Sequence, residues 1–290
     1  MQVGLIGLGR MGSNMRERIR AAGHEVIGYD RNLDISDASS LNEMVEKLTP
    51  PRVVWIMVPS QATSETVDQI AAVLSAGDVI IDGGNSKFTH DRPRAERLSA
   101  LGIGYLDVGV SGGVWGRENG YALMVGGDAD NVAKAEPIFQ ALKPAGEFGY
   151  VHAGGVGAGH YAKMVHNGIE YGMMHAIAEG WELLKACEYV DVVPGVIKSW
   201  REGSVVQSCL LDLLDRALDE DPTLSHLKGY ADDTGEGRWT VEEAIRLAVP
   251  MHVIAASLFA RFASRQDDSP AMKAIAALRH QFGGHAVKKD

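Results

Sequence analysis

Apolar residues are spread along this chain in two different ways, and the change falls near residue 158. Before it, short apolar runs alternate with amphipathic stretches. The segments 3–6, 25–29, 53–58, 79–81, 104–107, 122–125 and 148–151 each read as a strand, with helix-like sequence between most of them. Val53–Val58 is apolar without interruption, the pattern of a parallel strand covered on both faces. Such alternation predicts an open α/β sheet, whose ligands sit beyond the carboxyl ends of the strands. After Gly159 the strand signal stops. A helical period runs through 158–188, 194–202, 205–219, 241–265 and 271–280. The Gly-rich stretch 153–159 separates the patterns. The prediction is a Rossmann-type α/β domain over residues 1–157, then an all-α domain over 158–290.

The first strand runs into Gly7-Leu8-Gly9-Arg10-Met11-Gly12, which opens a helix. In this GxGxxG spacing the glycines permit a tight turn, close approach of a pyrophosphate, and packing of helix on strand. The helix N-terminus then faces the phosphates. A structural Gly-rich turn would look the same in isolation, but the second strand ends at Asp30, the distance expected of an acid that binds a ribose. Asp30 favours NAD, because its carboxylate accepts from a ribose hydroxyl and repels a 2′-phosphate. Arg31 beside it leaves NADP open, since it could stack on adenine or hold a phosphate. Val58 and Asn85, at later strand ends, complete the expected nucleotide contacts. Asn85 and Ser111-Gly112-Gly113 are also where a substrate would lie, although these residue types suit ordinary turns too.

The helix after Gly157 carries Lys163, His166, Asn167, Glu170 and Tyr171, spaced to share one face. Most of its other side chains are apolar or small, which predicts a buried helix and a buried polar stripe. Gly168, Gly172, Ala176 and Gly180 recur every fourth residue and leave a strip for close helix contact. The stripe reads either as a satisfied hydrogen-bond network or as acid–base machinery. With a dinucleotide domain upstream, hydride transfer from a hydroxyl carbon is the suggested chemistry. A lysine can take the hydroxyl proton where burial or a neighbouring cation lowers its pKa.

Composition narrows the partners. Net charge is -10, which argues against nucleic acid, so any anionic ligand needs a local cationic cluster. No segment is long and apolar enough for a bilayer. There is no signal peptide, and Cys187 and Cys209 read as core thiols in a reducing, cytoplasmic setting. No metal-ligand spacing is present, and none is expected to be needed.

GLGRMG, DGGNS (82–86), GVSGG (109–113), the GRWT segment (237–240), Phe259-Ala-Arg261 and Arg279–His285 resemble 6-phosphogluconate dehydrogenase, as does GAGHYAKMVHNGIEYG (157–172) above all. The resemblance runs from end to end. It looks like the short, often NAD-preferring form, within the wider β-hydroxyacid dehydrogenases. It implies that Lys163 is the general base and Glu170 the proton donor to C1. His166, Asn167 and Asn85 would orient the substrate. Ser111, Gly112 and Gly113 would face its carboxylate end. Tyr171, Arg261 and Arg279 would hold a phosphate, with His285 near it. The substrate implied is a small anionic sugar-acid phosphate. The assembly implied is a homodimer or homotetramer whose C-terminal tail reaches the partner's site. Two positions depart from the family. Thr234 stands where the loop usually presents a lysine to the phosphate, and Glu236 replaces a hydroxyl residue; Arg238 could substitute. Asp30 stands where NADP-specific members carry an uncharged residue. A dehydrogenase for an unphosphorylated 3-hydroxy acid is the alternative, and a non-catalytic scaffold fits the retained polar stripe poorly.

Overall fold

The computed structural model describes residues 1–288. The chain forms two compact units, Met1–His166 and a second from Asn167 onward. The first alternates β1 (Gln2–Ile6), α1 (Arg10–Ala21), β2 (Glu25–Tyr29), α2 (Leu41–Glu46), β3 (Val53–Ile56), α3 (Ser60–Ala71), β4 (Val79–Asp82), α4 (Asp91–Ser99), β5 (Gly104–Ser111), α5 (Gly116–Asn119), β6 (Ala122–Gly127), α6 (Ala129–Leu142) and β7 (Tyr150–Gly154). The seven strands lie in the order β2-β1-β3-β4-β5-β6-β7. Every neighbouring pair is parallel except β5 and β6. These two are joined only by Gly-rich turns and the one-turn α5, too short a link for a parallel crossover. The strand order reverses between β1 and β3, which opens a crevice at the end of β1.

Adjacent residues of the central strands feed opposite faces of the sheet. Leu5, Trp55 and Ile81 join one core cluster with Phe139 of α6. Ile6, Ile56 and Ile80 join the other with Val67 and Ile70 of α3. This is why the strands read as continuous apolar runs. β5 extends to Ser111, four residues past the predicted Asp107, because Val108 and Val110 continue the inward pattern and pair with β6.

α7 (Ala158–Ala186) is one continuous helix that leaves the first unit and enters the second. There follow α8 (Val193–Trp200), α9 (Cys209–Glu220), α10 (Glu236–Leu247), α11 (His252–Ser264) and α12 (Pro270–Gly283). Ile197, Leu211 and Leu218 make a small core against Ile177, Trp181 and Leu184. Three expectations change here. The segment 241–265 is two helices, because Pro250 lacks an N–H and Ala248 turns to φ 54° as the cap of α10. The GRWT residues lie in the first turns of α10 instead of a loop. Cys209 is exposed and Cys187 half-buried, so neither is a core thiol. No helix among the described residues is long and apolar enough to cross a membrane.

Candidate active site

At the end of β1 the three glycines of GLGRMG differ in their surroundings. Gly7 has φ 92°, and a Cβ there would lie 2.6 Å from the Met57 carbonyl oxygen. A Cβ on Gly12 would lie 1.9 Å from the Gly7 oxygen. A Cβ on Gly9 would meet nothing within 4 Å among the described residues. The outer two close backbone on backbone, and the middle one leaves the N-terminus of α1 open. That turn has no acidic side chain, and Arg10 begins it, exposed. Leu8 N donates to Asp30 Oδ2 at 2.7 Å, and Asn32 N to Asp30 Oδ1 at 2.9 Å. Asp30 thus ties the phosphate turn to the end of β2. A half-buried Val58 packs against Gly7, Met11 is half-buried behind the turn, and Arg31 is exposed. This arrangement fits a dinucleotide: open amides for the pyrophosphate and a carboxylate at the ribose position.

The second group of candidates is set by a register between β5 and α7. Asp107, Gly109 and Ser111 point to one face of the strand. They meet the positions 160, 163 and 166 of the helix in turn. Asp107 accepts from the backbone N–H of Gly157 at 2.7 Å and of His160 at 2.9 Å, capping the helix. A Cβ on Gly109 would lie 2.4 Å from Lys163 Cβ, so only glycine admits the lysine so close. Ser111 Oγ lies 3.2 Å from His166 Nε2, and His166 Nδ1 lies 3.5 Å from Lys163 Nζ. Ser111, His166 and Lys163 therefore form one line of polar groups. Gly112 and Gly113 turn the chain just past it, with φ 143° and 53°, and both are exposed. Asn85 is exposed in the loop after β4.

Along α7, Lys163 and Asn167 are each 8% exposed and Tyr171 is 6% exposed, while Glu170 is half-buried. Three of the five stripe residues are thus buried, and His166 and Glu170 are half-buried. The apolar side of the helix is mixed, with Met164 buried and Ile169, Met173, Met174 and Leu183 exposed. In the second unit, Thr240 packs at Gly168 and Val253 at Gly172, so the chain's own α10 and α11 fill half of the small-residue strip. A Cβ on Gly180 would meet nothing within 4 Å among the described residues.

Also in the second unit, the Arg261 guanidinium lies 3.6 Å over the Tyr171 ring and donates to Asp232 O at 2.8 Å. Thr234 N donates to the Tyr171 hydroxyl at 3.3 Å. Thr234 Oγ1 donates to Glu236 Oε2 at 2.5 Å, and the other Glu236 oxygen is buried with no partner. Arg238, the residue expected to stand in for the loop lysine, is held within α10's own neighbourhood. It pairs with Asp233 at 2.9 Å and rests on the Phe262 ring. Arg279 lies within α12 and His285 just beyond it, both exposed.

Sequence reasoning passed over Asp82, Asp91, Asp107 and His160, all buried behind Lys163. Asp107 was visible as the one acid inside an apolar run, and His160 as the residue one turn before Lys163. Burial alone would lower the His160 pKa, but Asp82, Asp91 and Asp107 outweigh it and raise it to about 9. Burial, with Asp91 nearby, pushes the Asp107 carboxyl up.

A Gly-rich βα turn joined to an acid at the end of β2, with a lysine braced on β5, defines a dinucleotide-dependent oxidoreductase. Residues 2–149 match the NAD binding domain of 6-phosphogluconate dehydrogenase, and residues 159–289 match that enzyme's C-terminal domain. The chain is 40% identical to an NAD(+)-dependent, decarboxylating 6-phosphogluconate dehydrogenase of Haloferax volcanii, with all of both chains covered. It also resembles the solved 6-phosphogluconate dehydrogenase of Plasmodium falciparum, with TM-score 0.83 and 27% identity over 100% of this chain and 66% of that one. The 3-hydroxyisobutyrate dehydrogenase of Mycobacterium tuberculosis shares the fold, with TM-score 0.70 and 22% identity over 96% and 99% of the chains. The chain belongs to the 6-phosphogluconate dehydrogenase family.

Proposed function

We propose that this protein oxidatively decarboxylates 6-phosphogluconate to ribulose 5-phosphate and CO2 with reduction of NAD. The observation that carries the reading is Lys163, buried against Gly109 and in line with His166 and Ser111, in a chain that matches the family in both parts. Gly7–Gly12 and Asp30 would hold NAD, which when bound would supply the acceptor for the hydride leaving C3. Lys163 takes the C3 hydroxyl proton and then polarises the ketone. The β-keto acid releases CO2 because that carbonyl accepts the electrons. Glu170 donates a proton to C1 of the resulting enediol. His166, Asn167 and Asn85 orient the sugar chain, and Ser111, Gly112 and Gly113 face its carboxylate end. Tyr171 and Arg261 hold the phosphate, and the guanidinium fork suits a dianion. The enzyme is cytoplasmic, with the nucleotide domain over 1–157 and the helical domain over 158–290.

The active form is a homodimer or a higher assembly of dimers, with Arg279 and His285 of one copy completing the site of another. Support comes from α12, which buries no residue and exposes Met272, Leu278 and Phe282. A 14-residue helix with an uncovered apolar face needs a partner.

Glu236 supports a second reading. A carboxylate 3% exposed, with one oxygen unpaired, beside Thr234 where the family places a lysine, suits an unphosphorylated 3-hydroxy acid better than a phosphate. NADH formation and CO2 release, measured with 6-phosphogluconate, gluconate and 3-hydroxyisobutyrate, separate the two. The primary reading requires 6-phosphogluconate to have the highest kcat/KM. A higher value for either unphosphorylated acid would replace it.

A further inference from the structure

Behind Lys163 lies a polar cluster that the proposed reaction does not use. Asp82 ends β4 and Asp91 begins α4, so the two carboxylates stand at the ends of the loop that carries Asn85. Asp82 accepts from Gly84 N at 3.0 Å, Ser86 Oγ at 2.7 Å and Arg94 Nη1 at 3.0 Å. Tyr105 of β5 donates its hydroxyl to Asp91 at 2.8 Å and lies 3.3 Å from Asp82. The other Asp91 oxygen meets His160 Nδ1 of α7 at 2.8 Å. Just before Asp91, the Phe88 ring packs edge-on against Tyr161, centroids 4.9 Å apart. Asp82, Asp91 and His160 have the spacing of a metal site, but the Arg94 guanidinium and the Tyr105 hydroxyl take the positions a cation would need. The cluster is a set of ties.

The ties join three segments that each carry a candidate site residue. The loop 83–90 carries Asn85, β5 carries Ser111, and the first turns of α7 carry Lys163. His160 lies one helical turn before Lys163, so the two side chains leave the same side of α7. Asp107 fixes the helix to β5 through the backbone, whatever side chain stands at 160. The Asp91–His160 contact is different. It joins the Asn85 loop to the helix through side chains alone.

We propose that Asp91 and His160 are positioning residues for the reaction, holding the Asn85 loop at a fixed place relative to Lys163. This rests on the reading of Lys163 as the base. The pair works as an ion pair. A charged imidazole faces Asp82 from β4, Asp91 and Arg94 from α4, and Tyr105 and Asp107 from β5. Loss of its proton in alkaline solution weakens the tie to Asp91 and lets the loop move. His160 Nε2 is buried and meets no partner, so the contact depends on Nδ1 only. Asparagine can place an amide N–H at the Nδ1 position, and leucine cannot.

The test compares His160→Leu and His160→Asn with wild type, using 6-phosphogluconate and NAD. His160→Leu should lose at least tenfold in kcat, by the scale of lost positioning. Its KM for NAD should rise by less than kcat falls, because most of the expected nucleotide contacts lie at β1, α1 and Asp30 and only Asn85 is on the loop. His160→Asn should recover part of the lost kcat, because its amide N–H restores the hydrogen bond to Asp91 without the charge. It should also lack the alkaline fall in kcat expected of wild type near pH 9. Asp91→Asn is the check if His160→Leu does not fold, and should move that fall to lower pH. Amide hydrogen exchange reads the tie without turnover, and should be faster across 83–90 in His160→Leu. Unchanged exchange there, or leucine and asparagine variants with the same kcat, would overturn the proposal. A wild type inactive with 6-phosphogluconate would instead fail the functional reading, and the exchange result would still decide whether the tie exists.

Discussion

The two units differ in how completely they cover their own apolar side chains. In Met1–His166 the sheet is packed on both faces, and Leu5, Trp55, Ile56 and Phe139 are wholly buried. In the second unit, Phe282 is 90% exposed and Leu278 68%, and Val253 and Phe259 also face outward. The sheet unit is finished by its own helices. The helical unit spreads its apolar residues over faces its few helices cannot all cover. Buried polar atoms without a hydrogen-bond partner occur in both units, His160 Nε2 and Trp55 Nε1 in the first and Glu236 Oε1 and Trp181 Nε1 in the second. Behind Lys163 the buried carboxylates are held by several donors, whereas Glu236 in the second unit keeps one buried oxygen without a partner. The lesson is that the sheet's core is closed by the helices of its own unit, while the helical unit leaves apolar side chains of α11 and α12 exposed.

The largest effect expected from breaking the self-sufficient side is at Lys163. Lys163→Met should lower kcat by about 10²–10⁴-fold, the scale of a lost general base. NAD binding, followed by fluorescence titration, should stay near normal. More than a tenth of wild-type turnover would remove Lys163 from its role.

The next effect sharpens the incomplete side. Leu278→Asp with Phe282→Asp puts charge on the uncovered face of α12. If a second copy covers that face, removing these anchors costs about 2 kcal/mol or more each. Sedimentation should show monomers, with turnover at least tenfold lower, because Arg279 and His285 no longer reach a neighbouring site. A variant with unchanged assembly and turnover would show that the face is covered by nothing that matters.

A smaller change is expected at Asp30. Asp30→Asn removes the charge that repels a 2′-phosphate and loosens the bond to Leu8 N. The preference for NAD over NADP should narrow by about tenfold, equivalent to ~1.4 kcal/mol. A wild type with higher kcat/KM for NADP would contradict the assignment.

The smallest effect concerns pH and stability. The fold raises the His160 pKa from 6.5 to about 9. A raised cation stabilises the fold fully below the unfolded value, and that contribution fades as pH climbs through the folded value. Thermal stability of wild type should therefore decline between pH 6.5 and 9. In His160→Asn this part of the slope should flatten. An equal slope in both proteins would mean that His160 is not charged in the fold.

Much of this was legible in the sequence. Strand positions followed from apolar runs, and the turn after β1 from three glycines, of which Gly7 and Gly12 close backbone on backbone. The stripe on α7 was readable because helix spacing is local. What could not be read depended on contacts between distant segments. Nothing local links Asp91 to His160, 69 positions apart. The split of 241–265 was signalled by Pro250, but the apolar period on both sides masked it. The burial predicted for α7 held for Lys163, Asn167 and Tyr171, only in part for His166 and Glu170, and failed for Ile169 and Met173, because periodicity shows that a face is apolar and not what covers it.

The central claim is that one site oxidises the C3 hydroxyl and then expels C1. The most direct measurement uses 6-phosphogluconate labelled with ¹³C at C1 and follows NADH and labelled CO2 in the same reaction. The account predicts one CO2 for each NADH from the first turnovers onward, with both lost together in Lys163→Met. NADH formed with the label retained in a hydroxy- or keto-acid product would contradict it, and so would an enzyme that reduces NAD only with unphosphorylated acids.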